Sequence, residues 1–146
     1  MRPESIQWFE RVYIVRIVVG IALSLYSFYW MSHAFGAYPM PAYGLKYIAI
    51  GSVVMVTLIN LLLLYFIARR ASVVAKWIFV VATLIGLVSV VHTVIAPNFL
   101  PALLKMGPLF GVGLDFTMIM LLFQPDSRDW FEGGGVVEDD YADTFS

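Results

Sequence analysis

Asp115 lies eight residues from the end of an apolar run, 102–123, in which Lys105 is the only other charged residue. A carboxylate at such depth in hydrocarbon costs at least ~2.5–3.5 kcal/mol on insertion scales, so it needs a partner or water. Two kinds of chemistry use such a group: a polar clasp between helices, or a station on a proton or ion path. Its candidate partners are Asn60, at nearly the same depth in a second apolar run, and Arg16, about one turn inside the first. Side chains tilt toward the N-terminus of their helix. That tilt sends Arg16 toward the nearer membrane face, where it snorkels, and sends Asp115 and Asn60 the other way. An Asn60–Asp115 hydrogen bond with a protonated acid and an Arg16–Asp115 ion pair both stay open, because the order of the helices is not legible.

Ser89 and His92 form a second polar pair, three residues apart on one helix in the outer half of the third run. Asp115 lies about halfway across a membrane from them, so they make no Ser-His-acid set. Imidazoles on two spans can sandwich a haem iron, which makes His33 and His92 worth weighing. His33 falls beyond the outer end of its run and His92 about five residues inside its own; the depths disagree by roughly two turns. No HExxH helix and no glycine loop ahead of a Lys occurs. No catalytic residue, metal ligand or cofactor is therefore expected.

The elements that position these groups have to be membrane spans. Of 146 residues, 61% are hydrophobic and 13% charged, against about half and a quarter in soluble domains. The length allows one bundle and no second domain. With no Cys there is no disulfide and no thiolate chemistry. The net charge is −1; four acids sit in the tail, and nine bases against six acids leave the rest at +3. No basic run suits a nucleic acid.

Four stretches reach the roughly 20 residues that a span requires, at about 12–31, 47–68, 77–96 and 102–123. Aromatic residues and prolines punctuate them: Trp30, Tyr38, Pro39, Pro41 and Tyr43 in the first loop, then Pro97, Pro101 and Pro125. Gly107-Pro108 is expected to kink the fourth helix, and Lys105 to snorkel outward. With the N-terminus inside, the cytoplasmic side carries Arg2, Arg11, Arg16, Arg69, Arg70, Lys76 and Arg128, and the other side only Lys46 and Lys105. This positive-inside split predicts an all-α membrane protein, a four-helix transmembrane bundle with both termini cytoplasmic. A signal peptide ending near Ala34-Phe35-Gly36 is the rival, but its cleavage site would fall late and its leading region is acidic as well as basic.

One phrase occurs twice, as Pro3-Glu4-Ser5-Ile6-Gln7-Trp8-Phe9-Glu10 and as Pro125-Asp126-Ser127-Arg128-Asp129-Trp130-Phe131-Glu132. Each copy reads as a short helix opened by Pro, with an acid in its first turn and an aromatic pair that suits the membrane–water boundary. Residues 1–11 are thus an N-terminal interfacial segment, 12–124 the bundle and 125–132 a C-terminal interfacial helix, with Trp8, Phe9, Trp130 and Phe131 as anchors. Residues 133–146, opened by three glycines, make a flexible acidic tail in which Tyr141 and Phe145 could serve as a docking peptide. Small and polar residues recur at helical spacing: Arg16, Gly20, Ser24 and Ser27; Thr57 and Asn60; Ala82, Gly86, Ser89 and Thr93; Gly107, Gly111 and Asp115. Helices associate in lipid through such faces, which are expected to point inward.

The opening Arg2–Arg11 and the closing Leu122–Phe131 resemble small four-span bacterial inner-membrane proteins of unassigned function. The resemblance covers the whole topology, implies a bacterial cytoplasmic membrane and implies no catalytic residue. The expectation is a non-enzymatic structural or accessory subunit that works through helix–helix contacts, with the lipid bilayer and a membrane protein or further copies of itself as partners. The alternatives are a small oligomeric transporter or proton/ion pathway centred on Asp115, and a haem-binding electron-transfer subunit.

Overall fold

The structure, a computed structural model, describes residues 2–34, 42–95 and 101–133. The expectations for the first loop, for the end of the third span with Pro97, and for the acidic tail from Gly134 onward lie outside the described residues.

Pro3 and Glu4 open α1, which runs unbroken over Glu4–Ala34. Proline suits a helix start because the amide it lacks would have had no partner there, and an acid in the first turn complements the helix dipole. The first copy of the repeated phrase is therefore the opening turns of a long helix and not a separate one. α2 spans Ala42–Arg70 and α3 spans Val73–Ile95. Between them Ala71 takes a left-handed φ of 46°, and the Ser72 amide donates back to Phe66 O at 3.1 Å. That closes α2, while Ser72 Oγ accepts the Ala75 amide at 3.2 Å and starts α3. α4, Ala102–Leu122, passes through Pro108 without interruption. Pro125 then opens the separate α5, Pro125–Glu132.

Four of these helices are long and apolar enough to cross a membrane, and no strand occurs among the described residues. They pack as a ring: α1 touches α2 and α4, and α3 touches α2 and α4, which leaves α1–α3 and α2–α4 as the diagonals. The short α5 folds back against α1 and α4. The start of α1 and the whole of α5 thus share one end of the bundle, called basal below.

There the two copies of the repeated phrase meet through their equivalent serines, Ser5 Oγ and Ser127 Oγ, 2.7 Å apart. Ser127 Oγ donates to Leu121 O at 2.6 Å, so Ser5 is the donor of the pair. The neighbouring acid, Asp126, accepts the Ser5 amide at 3.3 Å. The aromatic residues divide. Trp8 remains exposed, beside Glu4 and under Arg11. Phe9, Trp130 and Phe131 are buried in the core and correct the expectation of four anchors. The physical reason is that α5 turns under the bundle, so its aromatic face meets helix ends instead of lipid.

The core is confined to the basal end. Ile6, Phe9 and Tyr13 of α1 meet Ile67 and Ala68 of α2, Phe79 of α3, and Met118 and Leu122 of α4. Toward the opposite, distal end the Leu, Ile and Val side chains of the helices are largely exposed, while α1 and α4 stay close where Leu23 faces Gly107.

Candidate functional site

Where the core stops, Arg16 reaches across from α1 to α4. Its Nε donates to Asp115 Oδ1 at 2.9 Å and its Nη2 to Asp115 Oδ2 at 3.3 Å. Both carboxylate oxygens are engaged, in the two-pronged geometry that makes Arg–carboxylate pairs strong. Of the two open alternatives for Asp115, the Arg16 ion pair is the one that forms. The expected snorkelling of Arg16 toward the basal face does not occur.

Two glycines explain this. A Cβ added at Gly20, one turn above Arg16, would lie 3.3 Å from Nη1, and one at Gly111 would lie 3.3 Å from Cζ. The guanidinium therefore occupies a slot between α1 and α4 that only residues without side chains leave open. It climbs along its own helix toward the carboxylate. Asp115 tilts toward the N-terminus of α4 in the usual way, so the two groups converge at the level of Gly20 and Gly111. The small residues at helical spacing here make room for a side chain as well as for a helix.

Asn60 belongs to the same region by another route. α2 lies diagonally across from α4, so Asn60 takes its bond from α1: the Tyr13 hydroxyl donates to Asn60 Oδ1 at 3.0 Å. Asn60 Nδ2 donates to its own helix at Val56 O, 2.8 Å away. Tyr13 was not anticipated in the sequence reading, although it sits three residues before Arg16 and shares its face. Its ring, almost wholly buried, stacks among Phe9 and Phe79 with centroids 5.3 and 5.4 Å away. Those rings close the floor.

Above the floor a cleft of about 580 Å³ opens among all four helices, with Arg16, Asn60 and Asp115 at its base and Gly20, Ala82 and Gly86 on its walls. Both of its serines turn to their own backbones: Ser24 Oγ donates to Gly20 O and Ser52 Oγ to Ala49 O, each at 2.8 Å. The ion pair is therefore the dominant polar feature of an otherwise apolar chamber. Arg16 and Asp115 cancel in charge, and their side chains keep 35% and 18% exposure. Such an arrangement can hold α1 against α4 and present a neutral, strongly dipolar base to whatever fills the cleft.

Ser89 and His92 are both exposed and do not line the cleft; the inward face of α3 runs through Phe79, Ala82, Gly86 and Val90. His33 is held by its own last turn, with Nδ1 2.8 Å from Tyr29 O and the ring over Tyr29. It stands on α1, diagonal to the α3 that carries His92, and the fold does not bring the two imidazoles together. Among the described residues no three His, Asp or Glu side chains cluster as metal ligands. Comparison with protein families, with curated proteins and with solved structures finds no match for this chain.

Proposed function

We propose that the protein is a non-enzymatic accessory subunit of a bacterial inner membrane, with both termini in the cytoplasm, and that it acts by receiving an apolar partner helix in its open half. One observation carries this reading: above the basal core, over Arg16–Asp115, an apolar cleft opens among the four helices. Gly86 on the cleft wall, and Gly51 on α2, would each accept a Cβ with nothing within 4 Å. In lipid, small-residue faces are where helices dock, since close approach of backbones replaces the hydrophobic drive. The exposed Leu, Ile and Val around the bundle match a bilayer, and the basic residues gathered at the basal end favour the cytoplasmic side for it.

Gentle extraction in mild detergent tests the proposal. A second protein or further copies should co-purify, and Gly86→Leu, which fills the cleft wall, should release them. A strictly monomeric particle without a partner sinks the reading.

The rival is a proton or ion path, since Asp115 lines the cleft. The bidentate pair opposes it: the guanidinium holds both carboxylate oxygens, so a passing ion or proton reaches them only if Arg16 moves. Flux in proteoliposomes separates the two. Flux lost in Asp115→Asn favours the path, while no flux, or equal flux, favours the accessory role.

A further inference from the structure

A second polar feature lies at the basal rim, away from the cleft, and nothing above explains it. Lys76 is one turn into α3 and only 8% exposed, yet it takes part in none of the ion pairs among the described residues. Its Nζ lies over the ring of Phe123, 4.1 Å from the centroid, and over that of Phe131, 4.8 Å away. Ring faces attract an ammonium but accept its three N–H groups poorly. Arg128 is exposed and stands three residues before Phe131 on α5, so it shares the helix face whose ring meets Lys76, and its like charge acts on that ammonium. An anion that met both cations would relieve their mutual repulsion and supply the acceptors that the rings do not. Of the acids on α5, Asp126 is already engaged by the amides of Ser5 and Ser127, and neither Asp129 nor Glu132 takes part in an ion pair among the described residues.

Depth identifies the anion. Side chains tilt toward the helix N-terminus, so Lys76 aims at the basal surface. Trp77, half exposed and edge-on to Phe123 at 5.9 Å, marks the membrane boundary beside it. The group that occurs at that level in a bilayer is a lipid phosphate, and anionic lipids collect where basic residues face the surface.

We propose that Lys76 and Arg128, walled by Phe123 and Phe131, form a binding site for the phosphate of an anionic glycerophospholipid. The ammonium and the guanidinium each donate to phosphate oxygens, and the rings cover the first acyl carbons. The site shares with the proposed function the location in a membrane, but it does not depend on any partner in the cleft.

Native mass spectrometry of the full chain in neutral detergent, with phosphatidylglycerol or phosphatidylcholine added, tests it. The wild type should retain phosphatidylglycerol in preference. Lys76→Gln and Arg128→Gln should each lower that retention about fivefold. Lys76→Arg should keep it, and Arg70→Gln, a cation at the same end but on α2, should change it less than about twofold. Arg128 is exposed, so its variant folds whatever becomes of Lys76. Equal retention of the two lipids, or equal losses in Arg70→Gln and Arg128→Gln, would overturn the site in favour of a diffuse surface charge.

Discussion

Around Phe9, at the basal end, three aromatic rings meet within 6 Å of one another. Around Gly86, in the distal half, a Cβ would touch nothing. The same four helices supply both regions, so the difference is not one of hydrophobicity. It lies in what the sequence places between the helices: large complementary side chains below Arg16, small residues and β-branched walls above. In a bilayer helices are held by close packing, which the basal half supplies within the chain and the open cleft does not. The basal half is packed from within the chain, and the distal half leaves a cleft among its helices. Arg16–Asp115 marks the border between them.

The largest effect should come from that border. Removing one member of a buried pair leaves an uncompensated charge, typically at a cost of about 3–5 kcal/mol. Arg16→Ala should lose the lower part of that range, about 3–4 kcal/mol, in reversible unfolding in bicelles, because the two side chains keep 35% and 18% exposure. The double variant Arg16→Met with Asp115→Leu should recover most of it. If each single change is nearly neutral, water or lipid already solvates both groups, and the border is no structural joint.

Next come the two halves themselves. Phe9→Ala should cost about 3 kcal/mol, because its cavity is enclosed on every side. Leu87→Ala, on the cleft wall, should stay within about 0.5 kcal/mol, because its site is already open. Equal losses would mean that the distal half closes in the membrane, and the contrast would vanish.

Glycines sharpen the contrast further. A Cβ on Gly107 would lie 2.6 and 2.8 Å from the terminal carbons of Leu23, a flexible neighbour that can yield. Gly107→Ala should therefore destabilise by about 1 kcal/mol, and adding Leu23→Ala should cancel part of the loss. Gly86→Ala should be neutral or slightly stabilising in the isolated protein, since alanine is the better helix former and meets no atom. Melting curves of these variants in one detergent suffice.

How much of this was legible beforehand follows the same division. The four spans could be read, because a run of about 20 apolar residues has few other fates. Asp115 could be singled out by the cost of its burial, but its partner could not be chosen. That choice depends on α1 being adjacent to α4 while α2 is diagonal to it, which is a property of the ring and of no single helix. The tilt of side chains argued against Arg16, and the general rule was overridden by two glycines that clear a path for the guanidinium. Tyr13 escaped notice because a tyrosine near a span end reads equally well as an interfacial residue. The repeated phrase was visible as a pair on one side of the bundle. That its two copies dock on each other was not, since interfacial preferences describe each aromatic residue singly.

That docking gives the smallest and most specific prediction. Ser5 and Ser127 hold equivalent places in the two copies, and their hydroxyl groups bond at 2.7 Å in a buried setting. Ser127 also donates to Leu121 O, the last turn of α4, so it ties α5 to α4 and α1 at once. Ser5→Ala removes one bond and should cost about 1 kcal/mol; Ser127→Ala removes two and should cost more, up to about 2 kcal/mol. A double-mutant cycle between them should return a coupling of at least about 0.5 kcal/mol, as expected of residues in direct contact. Ser52→Ala is the control, because its hydroxyl bonds within its own helix and serves no junction. A coupling near zero would mean that α5 merely lies against the bundle, and the basal half would then be closed by its aromatic rings alone.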